Sequence, residues 1–188
     1  MKVFIIDNYD SFTFNLVHII EDILDQDVVV KRNDCFELSE IEDYSHIVLS
    51  PGPGLPSEAG LMPEVVRQYG PSKKILGVCL GHQCIGEVYG AGLENLSKVV
   101  HGKGIETLIT HRDEQIYKGL PEKIVTGRYH SWVVSNKNLP DCIDVTSVDD
   151  QGFIMSLRHK EYDVVGVQYH PESVLTPMGR TILENWLA

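Results

Sequence analysis

The chain has 188 residues, with 16 Lys and Arg against 27 Asp and Glu for a formal charge of -11, and 43% of it is hydrophobic. That composition supports one compact core, and the acidity excludes nucleic acid and anionic membrane surfaces as first partners, since no Lys/Arg cluster reverses the field. With 16 Gly and 9 Pro the chain is neither low-complexity nor collagen-like; no linker, repeat or charge block divides it, so residues 1–188 read as one domain.

Only four apolar residues in a row precede Asp7, and no later run approaches a membrane span, which predicts a cytoplasmic protein. Val3 to Ile6 reads as a first strand. Phe12, Leu16, Ile19, Ile20, Ile23 and Leu24 recur at helical spacing, with Asp10 or Ser11 as a candidate cap, and Val28 to Val30 is a second strand. The pattern repeats with Ile47 to Leu49, a Gly/Pro loop, a helix from about Glu58 to Tyr69, the strand Ile75 to Val78, and a helix near residues 80 to 89. Buried strands joined by helices predict an α/β fold on a parallel sheet. From about residue 98 the signal changes to short strands with turns: Gly104 to Thr110, Ile124 to Val134, Val145 to Val148, Phe153 to His159 and Val164 to Tyr169. These predict antiparallel additions. Pro177 opens a closing helix with Ile182, Leu183 and Trp186 on one face.

Three motifs carry chemistry. In Gly77-Val78-Cys79-Leu80-Gly81 a buried strand ends on a nucleophile-type residue with glycines two positions to either side, the pattern of a nucleophile elbow with sulfur in place of oxygen. The glycines are expected to spare the strained central residue a collision, and the helix amino end that follows favours thiolate over thiol. Ser50-Pro51-Gly52-Pro53-Gly54 follows another strand. Its glycines allow close approach of a ligand and its prolines stiffen the loop, so the N–H groups of Gly52 and Gly54 are candidate donors to an oxyanion. In Gln168-Tyr169-His170-Pro171-Glu172 an imidazole can serve the thiol as base, and the carboxylate two residues on can orient its ring, giving a Cys, His, Glu triad. His82, His101, His111 and His130 stay open as rival bases. No metal-ligand spacing such as H-E-x-x-H is present. Cys35, Cys79, Cys84 and Cys142 form no C-x-x-C pair and read as free thiols.

Taken with Asp7-Asn8-Tyr9-Asp10-Ser11, Val100-His101-Gly102-Lys103, Arg128-Tyr129-His130-Ser131 and His170-Pro171-Glu172-Ser173, these motifs resemble the class I, triad-type glutamine amidotransferases. The likeness runs from the first strand to the last helix and is strongest to the small-subunit group that serves anthranilate and aminodeoxychorismate synthases. The resemblance implies a flavodoxin-like open sheet with helices on both faces. It implies that Cys79 attacks the side-chain amide of glutamine, His170 transfers protons and Glu172 orients His170. It gives the oxyanion N–H groups to Gly52 and Leu80 and the substrate pocket to Gly52, Pro53, Gly54, Gln83, Ser131 and Trp132. It also implies a partner, the large subunit of a chorismate-utilising synthase, met at Asp7 to Ser11 and His101 to Lys103, with no cofactor in this chain and magnesium in the partner. Two positions depart from the family pattern. Cys84 replaces a small alanine and reads as an apolar filler; Trp132 replaces a smaller apolar residue, which leaves function intact if its backbone rather than its ring meets glutamine. A stand-alone cysteine hydrolase on the same scaffold and a non-catalytic binding module are the competing readings.

Overall fold

The computed structural model describes residues 1–96 and 99–188. Among them nine strands form one sheet in the order β2-β1-β3-β4-β9-β8-β7-β5-β6. The strands are β1 (Val3–Asp7), β2 (Val29–Arg32), β3 (His46–Leu49), β4 (Lys74–Val78), β5 (Leu93–Ile109), β6 (Lys123–Val134), β7 (Ile143–Asp149), β8 (Ile154–His159) and β9 (Val164–Val167). The first five in spatial order pair in parallel and the rest antiparallel. An α/β fold with a parallel half and antiparallel additions is what the sequence predicts.

The parallel half is covered on both faces, as its apolar strands require. Side chains alternate along β1: Val3 and Ile5 join a core with Leu16, Val17 and Ile20 of α1 (Thr13–Leu24) and Ile182, Leu183 and Trp186 of α4 (Gly179–Leu187). Phe4 and Ile6 face the other way, into a core with Met62, Val65 and Val66 of α2 (Met62–Tyr69) and Leu80, Cys84 and Ile85 of α3 (Leu80–Val88). No helix among the described residues is long and apolar enough to cross a membrane.

Four expectations need correction. Asp10 does not cap α1; its carboxylate accepts from the Phe12 N–H at 2.6 Å, while Phe12 holds the cap position with no side-chain bond. The helix expected from Glu58 begins at Met62, because Pro56–Glu58 forms a separate 3-10 turn. The closing helix begins at Gly179, two residues after Pro177. The strand expected from Gly104 begins at Leu93, so His101 to Lys103 lie within β5 rather than at a strand end. A register shift there, with Gly102 at a φ of 64°, marks a bulge.

Candidate active site

The carboxyl ends of the parallel strands, where open α/β sheets bind ligands, meet β6 to build the site. β4 ends at Val78, and the chain turns directly into α3 through Cys79, whose φ is 53° and ψ -99°. Such a backbone costs a residue with a β-carbon on the order of 1–3 kcal/mol. It is tied down on both sides: the Cys79 N–H donates to the Val167 carbonyl at 2.8 Å, and its own carbonyl accepts from Gln83 at 3.0 Å. The flanking glycines are needed for a reason other than the one expected. A β-carbon on Gly77 would lie 2.5 Å from the Gly81 carbonyl, and one on Gly81 would lie 2.4 Å from the Leu49 carbonyl oxygen. Glycine therefore lets α3 start hard against β4 and β3, rather than sparing Cys79 itself.

Beyond β9, His170 and Glu172 are both buried, and the imidazole Nδ1 lies 2.6 Å from Glu172 Oε1. That bond leaves Nε2, which has no hydrogen-bond partner among the described residues, for the thiol. Burial disfavours the imidazolium, but the Cys79 sulfur beside the ring and the Glu172 carboxylate bonded to it outweigh that and hold the His170 pKa well above the usual histidine value. The loop is clamped to β6: the His170 N–H donates to the Gly127 carbonyl at 3.0 Å, and Thr176 Oγ1 donates to the His170 carbonyl at 2.6 Å and accepts from the Gly127 N–H at 2.9 Å. Tyr129 meets the imidazole edge-on, with ring centroids 4.9 Å apart.

The rival histidines have other surroundings. His82 is fully buried, neither ring nitrogen has a geometric hydrogen-bond partner among the described residues, and burial pushes its pKa down to about 3. Burial and the charge of Arg128 push His130 down to about 4, and its Nδ1 donates to the Trp132 carbonyl at 3.1 Å. His101 packs edge-on against Tyr129 at 5.4 Å, and His111 sits beside the exposed Thr110 hydroxyl. Among the described residues only His170 has a carboxylate on its ring.

A pocket of about 180 Å³ opens over Cys79. Gly52, Pro53, Gly54, Gln83, Ser131 and Trp132, all expected to hold substrate, line it, and so do Tyr129 and His130, which sequence reasoning did not assign there. A β-carbon on Gly52 would lie 2.5 Å from Asn8 Cβ and 2.9 Å from Leu80 Cδ2, so only glycine lets the loop pack between β1 and α3. The N–H groups of Gly52 and Gly54 donate to no group among the described residues. Leu80 opens α3, so its N–H belongs to the first turn, which lacks intrahelical acceptors. The loop is anchored by Asn8, whose Nδ2 and backbone N–H donate to the Ser50 carbonyl and Ser50 Oγ, each at 2.9 Å, and whose Oδ1 accepts from Asn33 Nδ2 at 2.8 Å. Trp132 meets the site through its carbonyl, which accepts from Gln83 Nε2 at 2.9 Å; its indole N–H donates to Asn95 Oδ1 at 3.0 Å when that amide turns its oxygen to the ring. Cys84 points into the α2/α3 core, and burial pushes its thiol far up, as an apolar filler requires.

Residues 4–188 match the family model for glutamine amidotransferase class-I. The bifunctional protein TrpGD of Thermotoga maritima is 44% identical over 189 residues, 99% of this chain, although the chain spans only 32% of that relative's length. The aminodeoxychorismate/anthranilate synthase component 2 of Bacillus subtilis is 41% identical over 187 residues, covering 98% of this chain and 95% of the relative. Among solved structures, a putative GMP synthase subunit from Thermoplasma acidophilum superposes with a TM-score of 0.88 at 26% identity, covering 100% of this chain and 92% of that one.

Proposed function

Because the chain belongs to the class-I glutamine amidotransferases, we propose that it hydrolyses glutamine and hands ammonia to a chorismate-utilising synthase subunit, with anthranilate synthesis as the leading assignment. Similarity to a relative named for both anthranilate and aminodeoxychorismate synthesis supports a second assignment, a chain serving aminodeoxychorismate synthesis or both synthases. The reading is carried by one observation: a strained Cys79 at a helix amino end lines a pocket with the unengaged backbone N–H groups of Gly52 and Gly54, beside a His170 held by Glu172.

Cys79 passes its proton to His170 Nε2 and attacks the carboxamide carbon of glutamine. The C–S bond forms, and the displaced electron pair settles on the carbonyl oxygen, which the N–H groups of Gly52 and Leu80 receive. Each such donor is worth on the order of 100-fold in rate. Collapse of this intermediate breaks the C–N bond; the departing nitrogen takes the proton from His170 and leaves as ammonia, and a glutamyl thioester remains. His170 then draws a proton from water, hydroxide attacks the thioester, the C–S bond breaks and glutamate departs. Glu172 stays ionised throughout and fixes the imidazole orientation. Both Gln83 N–H donations go to protein acceptors, which leaves its Oε1 to accept from the substrate ammonium, while Ser131 and Trp132 supply backbone groups beside it.

The test is Cys79→Ser in the complex with the synthase subunit. Glutamine-supported product is expected to vanish, while ammonia-supported product stays at the wild-type rate. Glutamine use near the wild-type rate would overturn the assignment. Product analysis with each type of synthase subunit separates the two pathways.

A further inference from the structure

Gln168, the first residue after β9, is fully buried, and its Nε2 lies 3.6 Å from Cys79 Sγ in donor geometry. It is the one side-chain donor hydrogen-bonded to that sulfur among the described residues. Its Oε1 accepts from Gln83 Nε2 at 3.2 Å, and Gln83 Nε2 also donates to the Trp132 carbonyl at 2.9 Å.

The polarity of this relay is fixed from its far end. A backbone carbonyl can only accept, so Trp132 determines which end of the Gln83 amide is nitrogen. Gln83 then presents its second N–H to Gln168, which must answer with oxygen. The remaining end of the Gln168 amide, its nitrogen, faces the sulfur. Gln168 cannot turn over to present oxygen without breaking the bond to Gln83 and setting two buried donors against each other, at the full desolvation cost of each.

We propose that Gln168 is a further catalytic residue, whose amide N–H donates to the Cys79 sulfur and favours thiolate over thiol. The inference rests on Cys79 being the nucleophile. A donor to the ionised form of an acid favours that form, and a charge-assisted bond of this kind is stronger than a neutral one. The sulfur remains free to attack, because the donor only stabilises its charge. Trp132 and Gln83 line the pocket, so the relay joins the substrate wall to the reacting atom.

The test is the pH profile of Cys79 alkylation by iodoacetamide in the full chain, with Cys35 and Cys142, the cysteines that are not buried apart from the site, replaced by serine. Gln168→Leu removes the donor, and Gln168→Glu keeps the shape but sets a carboxylate beside the sulfur. In both variants the alkylation midpoint is expected to rise by about one pH unit or more, with alkylation about tenfold slower below it, since hydrogen bonds to charged groups are worth at least that much. An unchanged or lower midpoint in either folded variant would overturn the proposal. The unmutated protein gives a reading that does not depend on variants folding: the Gln168 side-chain amide protons, followed by NMR, are expected to shift with the alkylation midpoint. A flat response across that midpoint would equally overturn it. Alkylation consumes no glutamine, so a chain that shows the shift but hydrolyses no glutamine keeps the relay and refutes the proposed function.

Discussion

Replacing Gly52 by alanine isolates the contribution of the oxyanion loop. The added β-carbon would lie 2.5 Å from Asn8 Cβ, 2.8 Å from the Asn8 carbonyl oxygen and 2.9 Å from Leu80 Cδ2. Ordinary contact for such carbons begins near about 3.5 Å, so the loop must retreat by about 1 Å. Asn8 cannot yield instead, because its amide and backbone are bound to Ser50 and Asn33. A displacement of about 1 Å costs on the order of 100-fold in rate, and complete loss of one oxyanion donor costs on the order of 100- to 1,000-fold. The expected result for Gly52→Ala is therefore a kcat for glutamine-dependent synthesis lower by about 100-fold or more in the assembled complex. Ammonia-dependent synthesis should be unchanged. Gly119→Ala is the control: Gly119 has a φ of 78° with nothing within 4 Å of the added carbon, so it carries backbone strain of about 1–2 kcal/mol but should not alter kcat. A Gly52→Ala complex within twofold of wild type in kcat would refute the assignment of the Gly52 N–H.

Three further outcomes follow from other parts of the molecule. His82→Leu should leave acylation of Cys79 intact and soften acid unfolding. The folded His82 pKa lies near 3 against 6.5 for the free residue, so between those values the unfolded chain binds the extra proton. Stability is thus lost as the pH falls below 6.5, by on the order of 5 kcal/mol at most, and denaturant titrations at pH 7 and pH 4 should show a smaller drop in the variant. Asp149→Ala should destabilise the fold by about 3–5 kcal/mol in urea unfolding, because Arg128, 2.6 Å from Asp149 with both side chains 2% exposed, would keep an unpaired buried charge. The isolated chain should be a poor glutaminase, switched on by the synthase partner: Asn8 joins the Asp7 to Ser11 segment to the oxyanion loop, and His101 reaches His170 through Tyr129. Steady-state glutamate release with and without that partner checks this, and Asn8→Ala should blunt the response.

The parallel half was legible because its strands are buried on both faces and its helices on one, so β1, β3, β4 and α1 each carry their period in the sequence. β5 was half hidden. Its stretch from Leu93 to Lys103 alternates poorly, and it is a strand because β6 pairs with it across a bulge. Cys79, His170, Glu172 and Gly52 could be found because each needs a local signature: glycines around a tight turn, or a proline fixing a carboxylate beside an imidazole. Asn8 ties the Gly52 loop through Ser50, Thr176 ties the His170 loop to Gly127, and Gln168 reaches Cys79, through bonds that span 42, 49 and 89 residues. An amide or hydroxyl acting across such a separation leaves no pattern near it in the chain. The glycines of the elbow show the same limit, since their need was legible while the neighbours they make room for, Gly81 itself for Gly77 and Leu49 for Gly81, were not.

The central claim, that Cys79 sulfur carries the glutamyl group, is tested most directly by mass spectrometry of the complex, acid-quenched while turning over glutamine. The account predicts a glutamyl adduct confined to the peptide containing Cys79, absent in Cys79→Ser and longer-lived in a His170→Ala complex whose Cys79 has been acylated with an activated glutamine analogue. Steady glutamine turnover with an adduct on another residue, or with the Cys79→Ser complex still active, would contradict it.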